Sequence, residues 1–115
     1  MCPSFYTPLR NRADFSRVHT QGRRRYDTLV QLRVIPGENG LRIGIIVSKK
    51  YGNAVARNRF KRIVRAAFRN IKEKLIGNWD ILVLPRNVNE AKSTELSESF
   101  LKLLTELHVI DGKEN

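Results

Sequence analysis

Between Ala54 and Leu75 the apolar residues Phe60, Ile63, Val64, Ala67, Phe68, Ile71 and Leu75 recur at i, i+3, i+4, i+7, i+8, i+11 and i+15. A strand, whose side chains alternate with a period of two, cannot gather these on one side, whereas a helix does. At 100° per residue, with Phe60 as zero, the seven fall between about −60° and +80°. Asn58, Lys61, Arg62, Arg65, Arg69 and Lys72 fall between about 100° and 200°. The chain is thus predicted to carry a long helix with one face to pack on a core and another almost wholly cationic. Arg57 and Arg59 flank the basic face on opposite sides near the helix start.

Charge makes that face informative. Across 115 residues, 22 Lys and Arg oppose 11 Asp and Glu, a net of +11 and far more than solubility requires. Residues 49 to 74 hold ten bases against Glu73 alone, residues 1 to 33 carry a net of +5, and residues 75 to 115 a net of −3. Like charges at i, i+3 and i+4, such as Arg62, Arg65 and Arg69, repel by a few tenths of a kcal/mol per pair. Such uncompensated repulsion implies a polyanionic partner. Fourteen of the bases are Arg, whose planar fork grips phosphate bidentately and stacks on bases, which favours nucleic acid over an anionic membrane. Successive helical turns rise about 5.4 Å, so a row of these side chains can follow a phosphate backbone.

The rest of the chain reads as one domain over 1–115, with 41% hydrophobic residues, enough for one core. Residues 1–12 and 109–115 are expected to be irregular. Asp14 to Gln21, with Phe15, Val18 and His19 at helical spacing and Gly22 behind them, predicts a short first helix. The Arg23-Arg24-Arg25 run is placed in a loop. Thr28 to Ile35 and Leu41 to Ser48, separated by Pro36-Gly37-Glu38-Asn39-Gly40, predict an antiparallel hairpin. Trp79 to Leu84 predicts another strand and Ser97 to Leu107 a last helix. Gly44 and Gly52 are assigned to backbone geometry, and Gly52 also to a close approach by phosphate. Glu95, Glu98 and Glu106 are expected to face solvent, away from a nucleic acid.

Several function classes are disfavoured. No segment approaches the roughly 18 to 20 apolar residues of a membrane helix, and Met1 to Arg12 lacks the apolar core of a signal peptide, so a cytoplasmic protein is expected. Cys2, His19 and His108 lack zinc spacing, and a lone cysteine cannot form an internal disulfide. Asp14, Asp27 and Asp80 stand isolated, and no phosphate-cradling glycine motif or H-E-x-x-H occurs, so no catalytic residue and no metal ligand is assigned. His19 reads either as a packing residue at the helix edge or as a nucleic-acid contact, and His108 as a surface residue.

The run Ser48 to Arg69, S-K-K-Y-G-N-A-V-A-R-N-R-F-K-R-I-V-R-A-A-F-R, closely resembles the signature of the bacterial ribonuclease P protein subunit. The likeness extends through A-D-F-S-R-V-H-T-Q-G, L-R-I-G-I-I-V-S and W-D-I-L-V-L-P, and so over roughly residues 8 to 107. The resemblance implies an α+β, single-domain α-β-β-β-α-β-α sandwich with a central mixed sheet and a left-handed βαβ crossover. It implies a protein that assists a catalytic RNA, one protein per RNA, in removing the 5′ leader of precursor tRNA to leave a 5′ phosphate. Mg²⁺ is then held mainly by the RNA. Lys49, Lys50, Arg57, Asn58, Arg59, Lys61, Arg62, Arg65 and Arg69 are implied as contacts to the catalytic RNA. Phe15, with His19 where the family often has a second aromatic and Arg33 where a strand Tyr can occur, is implied to bind the leader, while Phe15 taken alone reads equally as a core-packing residue. Composition alone suits a different basic RNA-binding module equally, and a nuclease acting by itself is the third reading.

Overall fold

The computed structural model describes residues 6–9, 11–38, 40–75, 77–86 and 93–110. Cys2, Pro3 and the last five residues lie outside them. The element order is β1 (Thr7–Pro8), α1 (Arg12–Gln21), β2 (Arg23–Tyr26), β3 (Val30–Pro36), β4 (Leu41–Ile45), α2 (Ala54–Asn70), a 3₁₀ turn (Lys72–Lys74), β5 (Trp79–Pro85) and α3 (Ser93–Glu106). The architecture is α+β, with one mixed sheet in the order β1-β4-β5-β3-β2. Helices α2 and α3 cover one face of it and α1 lies on the other.

Capping sets where the helices begin. The Asn11 side chain accepts from the N–H groups of Ala13 and Asp14 at 2.8 and 3.4 Å, and Asn53 accepts from Ala56 N–H at 2.9 Å. The predicted stripe of α2 is the packed face: Phe60, Val64, Ala67 and Phe68 are buried and Ile63 is half-buried. The α-helix stops at Asn70 rather than continuing to Leu75, yet Ile71 and Leu75 stay in the core through the tighter turn that follows. Phe68 stacks on Phe100 of α3 with ring centroids 4.4 Å apart, joining the two helices.

Four expectations change. The hairpin does not form: β5 inserts between β3 and β4, antiparallel to the first and parallel to the second. The Pro36–Gly40 turn does reverse the chain, but its polar groups bond to the start of β5. Gly37 N–H donates to the Asn78 carbonyl at 2.9 Å and Gly40 N–H to Asn78 Oδ1 at 3.0 Å. Strand β5 has Asp80 to Val83 buried and therefore takes the centre, where both faces are covered.

The Arg23–Arg25 run is an edge strand, not a loop. It pairs antiparallel with β3 and is exposed along its whole length, and long cations are what a free sheet edge carries to discourage pairing with other chains. Thr7–Pro8, expected to be irregular, pairs parallel with β4, and Leu9 is buried. At the other end, Val109 and Ile110 are not frayed but buried against α2 and α3, with Val109 N–H held by the Leu104 carbonyl at 2.9 Å. His108 sits exposed at this corner with a φ of 64°.

A cationic helix and a cleft beneath the first helix

On α2 the solvent side carries Asn58, Arg59, Arg62, Arg65 and Arg69, all exposed, with Lys61 half-buried beside them. Lys49 and Lys50 are exposed just ahead of the helix. Among the described residues neither Arg62 nor Arg65 forms an ion pair. Arg57 is half-buried and folds back so that Nη1 donates to the Gly52 carbonyl at 2.9 Å, which fixes the turn before the helix. A side chain on Gly52 would meet Ala56 Cβ at 2.9 Å. Tyr6 lies alongside the basic row: burial raises its phenol above the ordinary range against the opposing pull of Arg65 and Arg69. Burial likewise raises Tyr51, whose ring leans on Phe60 at 5.5 Å and lies near Arg59.

The opposite sheet face is ordered by strand register, because paired residues project to the same side. One row runs Gly44, Leu82, Arg33, Arg24, and the next carries Leu84, Gln31, Tyr26. Helix α1 packs over part of this surface through Val18, Phe15, Leu82 and Ile35. Phe15 is half-buried with its ring on Gly44, where an added Cβ would lie 2.7 Å from Cε1. Gly44 is thus a matter of room for an aromatic ring, not of backbone geometry as expected.

His19 is exposed at the end of α1, and Arg33 Nη1 donates to its carbonyl while Nε donates to Gln31 Oε1 at 2.9 Å. A guanidinium at a helix C-terminus complements the carbonyls and the dipole there. The structure therefore joins Arg33 to His19 at the end of α1 and gives Arg33 a tethering role, while Phe15 packs on Gly44, two strands across the sheet.

Sequence reasoning missed the lock under α1. Asp80 on β5 is fully buried and accepts from Arg42 Nε at 2.9 Å, from Arg42 Nη2 at 2.8 Å and from Arg17 Nη2. Arg42 Nη1 also reaches Asp14 Oδ2 at 3.1 Å. Two of the three acids read as isolated are linked, but through guanidinia, so Asp80 and Asp14 are neutralised in place. No group of three His, Cys, Asp or Glu side chains fit to hold a metal ion occurs among the described residues. A lone Asp within W-D-I-L-V-L was the signal that could have found the lock, since a charge inside a buried strand requires a partner. The acidic helix α3 is partly engaged too, as Glu106 lies 3.7 Å from Arg25 Nε, and Arg23 Nη2 donates to the Leu107 carbonyl at 2.6 Å.

The chain is thus a basic α+β domain with an arginine-rich helix exposed on one side of the sheet and, on the other, α1 packed through Phe15 and Val18. The comparisons with known proteins specify which class. Residues 6–108 match the ribonuclease P family, and the chain belongs to that family of protein components. It is 41% identical over 100 residues to the ribonuclease P protein component of Chlamydia trachomatis serovar L2, covering 85% of this chain and 82% of that one. To the Pseudanabaena component it is 37% identical over 108 residues, 90% of this chain and 93% of the other. The solved ribonuclease P protein from Thermotoga maritima superposes with a TM-score of 0.76 at 30% identity, over 86% and 96% of the two chains. As the protein component, this chain partners the ribonuclease P RNA in tRNA processing. No helix among the described residues is long and apolar enough to cross a membrane.

Proposed function

We propose that the protein, one copy per catalytic RNA in the cytoplasm, binds that RNA through α2 and captures the 5′ leader of precursor tRNA in the α1 cleft. The reading rests above all on Arg62 and Arg65, exposed cations without a carboxylate partner among the described residues, in line with Arg69 on a helix anchored by its apolar side. Lys49, Lys50, Arg57, Asn58, Arg59 and Lys61 extend this surface around the helix start. Each phosphate neutralised releases condensed counterions, so the α2 surface supplies affinity without reading sequence.

In the cleft, the Phe15 ring offers a stacking face worth about 1 to 3 kcal/mol per base and tolerant of base identity. His19 and Arg33, an imidazole and a guanidinium, add planar groups that stack and attract phosphate. This side of the molecule holds the leader while α2 holds the RNA, and the two together seat the scissile bond against the catalytic RNA. The buried Asp80 oxygens already face Arg42 and Arg17. Hydrolysis and the metal are assigned to the RNA.

The test is cleavage of precursor tRNA at low Mg²⁺ by a bacterial ribonuclease P RNA, with and without this protein and beside a protein-only lane. Stimulated cleavage at the mature 5′ end that requires the RNA is the expected result. Cleavage by protein alone would overturn the assignment of catalysis to RNA, and absence of stimulation would overturn the assisting role.

A further inference from the structure

We infer that Tyr26 forms a second base-stacking site for single-stranded RNA, at the β2 edge of the sheet, taking leader nucleotides other than those held at Phe15. This rests on the leader-binding reading above and extends it. Tyr26 keeps 57% of its surface exposed, which is large for an aromatic residue within a sheet. Its register partners are Gln31 and, across β3, Leu84, so the ring belongs to the same face as the α1 cleft. Gly44, beneath Phe15, is three strand spacings from β2, about 14 Å at the usual separation. A few nucleotides of extended strand bridge that span.

The surroundings suit a nucleotide. The Arg86 guanidinium lies 4.3 Å from the Tyr26 ring centroid, and a cation held on an aromatic face fixes its orientation. Arg86 is placed by its own N–H, which donates to the Leu29 carbonyl at 2.9 Å. A groove of about 420 Å³ lined by Tyr26, Asp27, Thr28, Arg86 and Lys102 opens beside the ring. The one acid in the lining is engaged internally, because Asp27 Oδ1 accepts from the N–H groups of Leu29 and Val30 at 2.9 and 3.1 Å. Arg24, one row along the same face, makes no ion pair among the described residues. An exposed ring flanked by Arg24 and Arg86 presents stacking and phosphate-binding groups together, the combination that single strands require.

The experiment measures binding of precursor tRNA to the holoenzyme of this protein and a bacterial ribonuclease P RNA, with leaders that are absent, short or long, and with single abasic nucleotides along the long leader. Tyr26→Ala should weaken the long-leader substrate by about fivefold or more, the low end for one stacked base, and leave leaderless tRNA unchanged. Tyr26→Phe should retain binding. One abasic position in the long leader should cost the wild type that factor and cost Tyr26→Ala nothing further. A wild type that favours long leaders while Tyr26→Ala matches it, or loses equally with every abasic leader, would overturn the Tyr26 site and leave the cleft intact. Indifference of the wild type to any leader would overturn both.

Discussion

Arg42 grips Asp80 side-on, Nε to Oδ1 at 2.9 Å and Nη2 to Oδ2 at 2.8 Å, joining adjacent parallel strands beneath α1. Arg17 of α1 adds its guanidinium to the same carboxylate, so one buried acid ties the helix to the sheet that it must overhang. Burial alone would raise the Asp80 carboxyl, but the hydrogen bonds from Arg42 and Arg17 outweigh it and hold the group below its ordinary range.

Replacing Asp80 with Asn keeps the shape and leaves two guanidinia facing a neutral amide. The expected loss of stability at neutral pH is about 3 to 5 kcal/mol, as for other broken buried pairs. Because the folded carboxyl titrates below its unfolded value of about 3.9, the wild-type advantage is complete above that value and fades as pH falls through the lower folded one. Denaturant unfolding of both proteins from neutral pH into acid checks this, and a gap that stays constant down to about pH 2 would contradict it.

The double substitution Arg62→Ala and Arg65→Ala removes two exposed cations that form no ion pair among the described residues. Affinity for the catalytic RNA should fall, and the slope of log affinity against log salt should flatten by roughly 0.7 to 0.9 for each phosphate no longer neutralised. Folding stability should shift by a few tenths of a kcal/mol at most, since like-charge repulsion is relieved. Titrations across a salt series, with an unfolding curve as control, decide it; an unchanged slope would put the RNA on another surface.

Gly44→Ala tests the cleft without touching any charge. Its Cβ would fall 2.7 Å from Phe15 Cε1, so the ring must move. Overpacking of this kind costs about 1 to 3 kcal/mol. Binding of leader-bearing tRNA should weaken while leaderless tRNA is unaffected, the same pattern expected of Phe15→Ala. Equal losses on both substrates would remove the cleft from leader binding.

Ile110→Ala reports on the chain beyond α3. A frayed end would tolerate it, whereas Ile110 is only 8% exposed and part of the main core. The expected destabilisation is about 2 kcal/mol or more, read from the unfolding midpoint.

Helix α2 was legible because its apolar stripe runs unbroken and its charges repel without relief, both of which are local properties. The parallel β4–β5 pairing came with the family likeness. The hairpin was misread because turn residues specify that a chain reverses, not that the two arms become neighbours; a strand that starts beside Asn78, 38 residues downstream of Gly40, took the intervening place. Tyr26 was hidden by its neighbours, since three arginines in a row carry weak strand preference and only the free edge of β3 makes them a strand. The Asp80 lock depends on a register between Arg42 and Asp80 that no local pattern records. For the cationic face and for Phe15, His19 and Arg33, residue chemistry was readable, whereas the hold of Arg33 on the His19 carbonyl came from the way α1 crosses the sheet.

The insertion of β5 also sets an order of assembly. During synthesis from the N-terminus, β3 and β4 are finished long before residues 79–85 appear, and each waits with its inner edge unpaired. The whole of α2 lies in the interval, so the RNA-facing helix exists as chain before the sheet it leans on can close. Pairings of such long sequence separation form late and slowly. A nascent copy is therefore a cationic helix in search of its scaffold, and the arrival of one seven-residue strand completes the sheet, the cleft and the platform for α2 together.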